Sequence, residues 1–434
     1  MQTFHEIARD IPVVAEYDVV VAGGGPAGIG AAIGAAREGA KTIIIDDQNA
    51  LGGMAIPGGM SHWVGTSSSS VYREILRRCR ADKWPMENDI DSAPHIINHE
   101  KQKLVILDLM AENKVDVLLR THISGAMMDG NKVCGVIIEN KSGRSAIAGK
   151  VVIDCTGDGD VACSAGVEFQ LGREEDNKMQ PVTLMFKIGG VDFSRAVFPG
   201  SFETLVDTPK GELQSLARKI LPHPAGHVLL YPSTINGLVV VNMTNQIDID
   251  ATDGFALSRA EIACARQIPK IIDFLREYAP GYEKCYPLNA AANVGVRETR
   301  HFKGEYTLTA EDIVEARVFD DWITTRNAFN FDIHNLDGAG LDKNGAQRHF
   351  KAKGQYTIPY RCSLPLGVEG LLLAGRNISG THKAHSNYRV MPICAGIGEG
   401  CGVAAALAVK HHLAVRRVDV HEIQQVLAKY GVEV

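Results

Sequence analysis

The chain has 434 residues, 45% of them hydrophobic and 22% charged, with a formal net charge of -6. That length holds two domains with sizeable cores in an ordinary globular composition, and no cationic excess exists to release counterions from nucleic acid or an anionic membrane, so neither is expected as a partner. Nine cysteines stand singly, at 79, 134, 155, 163, 264, 285, 362, 394 and 401, with no C-x-x-C pair, which excludes a familiar zinc, iron–sulfur or disulfide framework.

Residues 1–18 show neither a charged-then-apolar leader nor a cleavage site, and no apolar run reaches bilayer length, so a cytoplasmic protein is expected. The stretch 17–46, YDVVVAGGGPAGIGAAIGAAREGAKTIIID, encodes strand, glycine turn, helix and second strand. Gly23 permits the tight turn, Gly25 opens the backbone to a pyrophosphate, and Gly28 lets the helix pack closely on the strand. Pro26 and Ala27 begin a helix over Pro26–Arg37, whose N-terminus meets the phosphates and whose stop is Gly39. The second strand ends at Asp46, 23 residues after Gly23, near the spacing at which a carboxylate accepts hydrogen bonds from an adenosine ribose. Asp47 and the flexible Gly52-Gly53-Met54 segment follow directly. Such a segment can wrap a longer ligand, which argues for FAD over NAD.

The glycine-rich path continues through GGMSHWVG at 58–65, bringing His62 and Trp63 toward a flavin ring. A polar tract at 66–70 precedes a solvated amphipathic helix over 71–80. Residues 81–94 carry two prolines and read as a loop, and helical periodicity resumes over 104–113. From 115 the runs VDVLLRTHI, KVCGVIIEN and KVVIDCTGDGD read as strands separated by turns at Asp129-Gly130-Asn131 and Lys141-Ser142-Gly143, a small antiparallel insertion before the main sheet continues. His122 and Ile123 close the first of these runs. Thr156 and Gly157 lie in the turn after the last, and all four are expected against the cofactor at the sheet's carboxyl edge.

Residues 166–355 are expected to form a mixed α/β substrate-binding unit, with strands over 181–188 and 237–242 and a helix over 258–279. Within it VGVRETR at 294–300 is either helix or turn, and either lets Arg297 and Arg300 converge. Residues 356–434 then return to the nucleotide unit begun by 1–165. A strand over 370–376 closes on Gly375-Arg376, and residues 390–400, which include Gly398, lead into an Ala-rich helix that ends near His412. The N-terminus of that helix can face a flavin pyrimidine and stabilise negative charge there. The fold class is α/β, with a Rossmann-like parallel sheet.

VVVAGGGPAG, IIIDD with LGGMA, VVIDCTGDGDVA, VGVRETRHFKGEYTLT and YTIPYRCSLP with LLLAGRNISGTHKAHSNYRVMPICAGIGEGCGVAAALAVK together resemble the FAD-dependent oxidoreductase family of the glutathione-reductase-like flavoproteins. The resemblance implies an FAD domain built from the two sequence ends, with Gly23, Gly25, Gly28, Asp46, Gly53, Gly375, Arg376 and Gly398 touching FAD. Related flavoproteins commonly carry an acid after the glycine of the late strand. This chain has Arg376 there, a cation that suits a pyrophosphate or flavin.

Only one full fingerprint is present, so a separate nicotinamide domain is not expected. The expected reaction moves a hydride between flavin N5 and a small polar substrate while a protein group handles the proton. His385, then His382 and Tyr388, in GTHKAHSNYR, are the candidates for that proton, with surface or structural roles as the alternative. No metal is expected, because no further ligand cluster accompanies His382 and His385. Arg297, Arg300 and Arg389 are candidates to clamp a substrate carboxylate, with salt bridges to Glu298 or Glu305 as the alternative. An electron acceptor or donor outside the chain is implied, and an electron-transfer subunit or a non-catalytic nucleotide-binding scaffold are the rival functions.

Overall fold

In the computed structural model the described residues are 3–60, 62–81 and 96–433. The loop expected over 81–94 lies, apart from Ala81, outside them. Strand β1 (Val13–Ala22) ends in four apolar residues, Val19 to Ala22, that are fully buried. It is an inner strand, pairing in parallel with β2 (Thr42–Ile45) on one edge and with β6 (Gly143–Asp154) on the other, and the helices Pro26–Arg37 and Met391–Lys410 pack against it, as a parallel strand with buried faces requires. Strand β3 (Asp116–Leu118) extends the parallel sheet beyond β2. Three residues of the far sequence end, Leu371–Leu373, complete it by pairing in parallel with 152–154 of β6. Both ends of the chain therefore build one Rossmann-like sheet.

Helix α1 (Pro26–Arg37) begins with proline in its first turn and packs along the long late helix Met391–Lys410. Small residues make the approach possible. A Cβ at Gly30 would stand 2.2 Å from the Ala395 carbonyl oxygen, and one at Gly398 would stand 1.9 Å from that of Ala27. By length and composition the late helix is apolar enough to cross a membrane, contrary to the expectation that no run reaches that length. In the fold its apolar window is 94% buried against protein.

The insertion forms as expected. Strands β4 (His122–Asp129), β5 (Lys132–Asn140) and the first half of β6 make an antiparallel meander continuous with the sheet. The run 115–123 is not one strand, however: it breaks at Arg120, whose φ of 51° turns the chain out of β3 before β4 begins. Within the polar tract at 66–70, Ser67, Ser68 and Ser69 are buried, and Ser69 and Ser70 are hydrogen-bonded to the carboxylate of the buried Glu399.

A second sheet, in spatial order Leu230–Pro232, Val239–Val241, Phe186–Gly189 and Tyr286–Ala290, is wholly antiparallel. Its core includes Phe186, Ile188, Val239 and Val241 together with Ile271, Phe274 and Leu275 of the helix Gly254–Tyr278. Phe302, Leu308, Ile313, Phe319 and Ile323 bury themselves in the first sheet's core instead. Residues 294–300 are neither helix nor turn. Gly295 bridges Thr183 and Arg300–Phe302 is a strand, so this piece is extended.

Candidate cofactor and substrate site

The carboxyl edge of the parallel sheet carries the glycine turn. Gly23 has a φ of +101°, and a Cβ there would strike the Cys155 carbonyl oxygen at 2.4 Å. A Cβ at Gly28 would stand 1.8 Å from the Gly23 oxygen, so its glycine serves helix-to-turn packing. At Gly25 the situation is the reverse, because the nearest atom to a Cβ is Gly53 Cα at 3.9 Å. The surface over Gly25 is open. Gly52 (φ +118°) and Gly53 (φ +49°) turn the following segment so that Gly53 backs onto Gly25. Asp46 sits beside the turn, its Oδ2 accepting from Gly24 N at 2.5 Å and its Oδ1 from Gln48 N at 2.8 Å. Burial raises its carboxyl to about 6, against the pull of those two backbone donors.

Two hollows flank the turn. The smaller, about 90 Å³, is lined by Gly23, Asp46, Asp47, His122, Ile123 and Thr156 among others, six of the residues expected against the cofactor. The larger, about 250 Å³, lies between the sheet edge and the second sheet. Met54, His62 and Arg376 line its cofactor side, and Val390 and Met391 bring the start of the late helix to it. Arg376 donates to Asp158 Oδ1 at 2.7 Å and passes over Gly157, where a Cβ would stand 2.9 Å from Nη2. The position after the late glycine thus holds an arginine tied to an aspartate of the neighbouring turn.

The far side of this cavity is polar. Arg297, buried to 8% exposure, donates through Nη1 to the Pro181 carbonyl at 2.5 Å and to Thr183 Oγ1 at 2.9 Å. Burial first, then Arg389, lowers it to about 10. Arg389 donates from Nη2 to Asp332 Oδ2 and to the Asp332 carbonyl, both at 2.9 Å. His334 and Tyr231 line the same wall. Burial pushes the Tyr231 phenol up to about 12. Burial also works against the charge of Asp332, yet His334 and the two arginines hold its carboxyl well below the usual range.

A family model described as FAD dependent oxidoreductase matches residues 18–427. The chain belongs to that family. Among curated proteins it is 27% identical over 161 residues to the digeranylgeranylglycerophospholipid reductase of Picrophilus torridus, covering 32% of this chain and 39% of that one. It is 30% identical over 152 residues to the soluble pyridine nucleotide transhydrogenase of Hahella chejuensis, covering 32% and 30%. The chain thus spans less than half the length of these relatives. Among solved structures, a geranylgeranyl bacteriochlorophyll reductase-like protein from Thermoplasma acidophilum is 16% identical, with 96% of this chain and 82% of that one covered and a TM-score of 0.46.

FAD is the cofactor of this FAD-dependent oxidoreductase, and the cradle fits it. Gly25 and Gly53 leave the backbone bare where the diphosphate would pass, Asp46 lines the hollow where a ribose would lie, and hollows lie on both sides. Gly375 (φ +99°) comes close to the same turn, a Cβ there standing 2.9 Å from Ala27 Cβ. Ala27 and Gly398 face each other inside the helix pair. Gly398, expected against FAD, is therefore a packing residue two turns into the late helix.

The expected proton carriers lie away from the cavity. His382, His385 and Tyr388 are on the short helix His382–Tyr388 and turn into the interior, and none lines the cavity. Tyr388 donates to the Ile378 carbonyl at 3.2 Å, and His385 is enclosed by the rings of His301 and Tyr388. His382 Nδ1 and His301 Nε2 both donate to Glu298 Oε1, at 2.5 and 2.8 Å. A third possible metal ligand thus stands beside His382 after all, in Glu298 rather than His385, with all three ligand atoms within 4.8 Å. Two nitrogens at hydrogen-bond distance from one oxygen make a clasp, in which Glu298 Oε2 also accepts from Gln180 N at 3.0 Å. Arg300 parts from Arg297 because residues three apart on extended chain face opposite ways. It donates to the Asp158 carbonyl and to Asp160 Oδ1, and takes no part in the cavity.

Asp332, His334 and Tyr231 reach the cavity without a signal in the sequence. The first two sit in an aperiodic loop where D-x-H matches no motif. The third lies on a three-residue strand whose partner is separated from it by a turn at Gly237.

Proposed function

We propose that this protein is an FAD-dependent oxidoreductase that moves a hydride between flavin and a small substrate whose carboxylate binds at Arg297. Bound FAD supplies the hydride acceptor or donor. The observation that carries this reading is the charge count of the cavity. Of its three arginines, Arg389 is paired with Asp332 and Arg376 with Asp158, whereas Arg297 has no carboxylate within 4.0 Å among the described residues. Asp332 acts on Arg297 from a distance but is hydrogen-bonded by Arg389, and a buried guanidinium with no directly paired carboxylate carries a desolvation cost that an anionic ligand offsets. A planar carboxylate is the matching shape. Thr183 and the Pro181 carbonyl hold one face of the guanidinium, so the group is positioned before substrate arrives.

The apolar lining, Met54, Met60, Met185 and Leu229, excludes water and strengthens that pairing. An electron donor or acceptor from outside the chain completes the cycle. Kinship with the glutathione-reductase-like flavoproteins belongs to this proposal, supported by the single glycine fingerprint and the late strand paired beside it. Arg297→Ala tests the reading. In the FAD-loaded protein the affinity for a small carboxylate such as lactate should fall roughly 10- to 150-fold, the loss of a charge-assisted pair, with FAD content unchanged. Equal affinity in the variant would remove the carboxylate from Arg297.

A further inference from the structure

We infer that His334 is the proton-handling residue of this cavity, oriented by Asp332, and that docking of an anion on Arg297 draws a proton onto its imidazole. This rests on the carboxylate reading above and goes beyond it by assigning the proton.

The geometry singles out His334. Its Nε2 lies 3.4 Å from Asp332 Oδ2, and its ring stands edge-on to Phe202 with centroids 4.9 Å apart. Its backbone N–H donates to Gln180 Oε1 at 3.2 Å. Asp332 is itself fixed, receiving Arg389 on Oδ2 at 2.9 Å and Gln347 Nε2 on Oδ1 at 3.1 Å. An imidazole whose carboxylate partner is pinned by two other side chains is held in one orientation, the arrangement that suits a general acid or base. The other histidine lining the cavity, His62, packs its ring on Tyr231 at 4.7 Å. His227 lies behind Phe202 with Nε2 3.1 Å from the Asn242 carbonyl oxygen, and it does not line the cavity.

The charged and titratable groups facing His334 are Arg297, Arg389, Asp332, His227 and Tyr231, with Arg376 and His62 across the cavity. In the free protein burial first, then Arg297, bring His334 down to about 4 against the pull of Asp332, so the ring is neutral at neutral pH. A carboxylate seated on Arg297 cancels the cation that opposes protonation and adds a negative charge beside the ring. Both changes favour the imidazolium, so one proton passes from solvent to His334 as the acid binds. The proton then sits where a substrate atom can take it. In the opposite direction the neutral ring can accept one.

Calorimetric titration of the FAD-loaded protein with lactate, pyruvate and acetate, in buffers of different ionisation enthalpy near neutral pH, reads this without turnover. The expected result is uptake approaching about one proton per bound acid, absent in His334→Gln, with acid affinity in that variant lowered roughly tenfold, as linkage to the lost proton requires. In Asp332→Asn the uptake should persist with its pH profile displaced, as befits a positioning residue. Binding of acid without proton uptake by the parent protein overturns the assignment, as does uptake that survives His334→Gln. Failure of every acid to bind overturns the carboxylate reading itself, and is distinguishable because no binding heat is seen.

Discussion

Asp46 links its burial to a pH effect on cofactor binding. In the proposed site a ribose hydroxyl would donate to the ionised carboxylate, and the free protein's carboxyl is raised to about 6 by burial. Binding therefore favours deprotonation. FAD affinity should be flat above that value and fall below it, by up to about tenfold per pH unit. Fluorescence titration of apoprotein with FAD on both sides of pH 6 measures it. Asp46→Asn should bind more weakly and lose the pH dependence, whereas a flat profile in the parent protein would detach Asp46 from the ribose. At this scale the sequence was legible where a motif fixes the backbone, as in Gly23, Gly25 and Asp46. It was not legible for Arg297 against Arg300, because their separation into two environments depends on an extended conformation set by the bridge to Thr183. His385 shows the same limit, since a histidine in a suggestive segment cannot reveal that its helix turns it inward.

The elements show why glycines that look alike in sequence do different work. Gly398 lies where α1 and the late helix touch, and Gly25 lies where nothing does. Gly398→Ala places a methyl 1.9 Å from the Ala27 oxygen, an overpacking that should cost roughly 1–3 kcal/mol or more and lower Tm by several degrees. Gly25→Ala has room in the protein, should melt near the parent temperature as apoprotein, and should lose FAD because the methyl occupies the diphosphate path. Thermal melts with FAD content as the second readout separate the two roles. If both variants lost FAD at unchanged apoprotein stability, the helix-packing role of Gly398 would be wrong. The α1 and β2 boundaries were readable because proline, glycine and apolar runs all agree there. The loop carrying Asp332 and His334 has no period to read, and its shape comes from isolated bridges, Phe331 to Ala346 and His334 to Leu341.

In the whole molecule, a strand and a helix from the far end of the sequence complete the nucleotide unit, and the second sheet closes over its carboxyl edge. The first part of that layout was legible in the residues themselves. Gly23 follows the apolar end of β1, and Gly375 follows the apolar strand Leu371–Leu373 by two residues. A continuous apolar run that closes on glycine is the pattern of a strand buried at the centre of a parallel sheet, so a common sheet could be read despite the distance between the two runs in sequence. The cavity was readable only in part: Met54, His62, Arg297, Arg376 and Arg389 were expected at the site and line it, whereas Thr183, Tyr231, Asp332 and His334 join them only in the folded chain.

The most direct measurement is anaerobic absorbance of the FAD-loaded protein mixed with small acids beside their neutral amides. Hydroxy acids are tested on the oxidised protein, and keto and unsaturated acids on the chemically reduced one. We expect at least one acid to change the flavin spectrum in a way that its amide does not, and that Arg297→Ala abolishes. An equal response to acid and amide, or a protein that stays colourless and refuses added FAD, would contradict a carboxylate-directed flavin site.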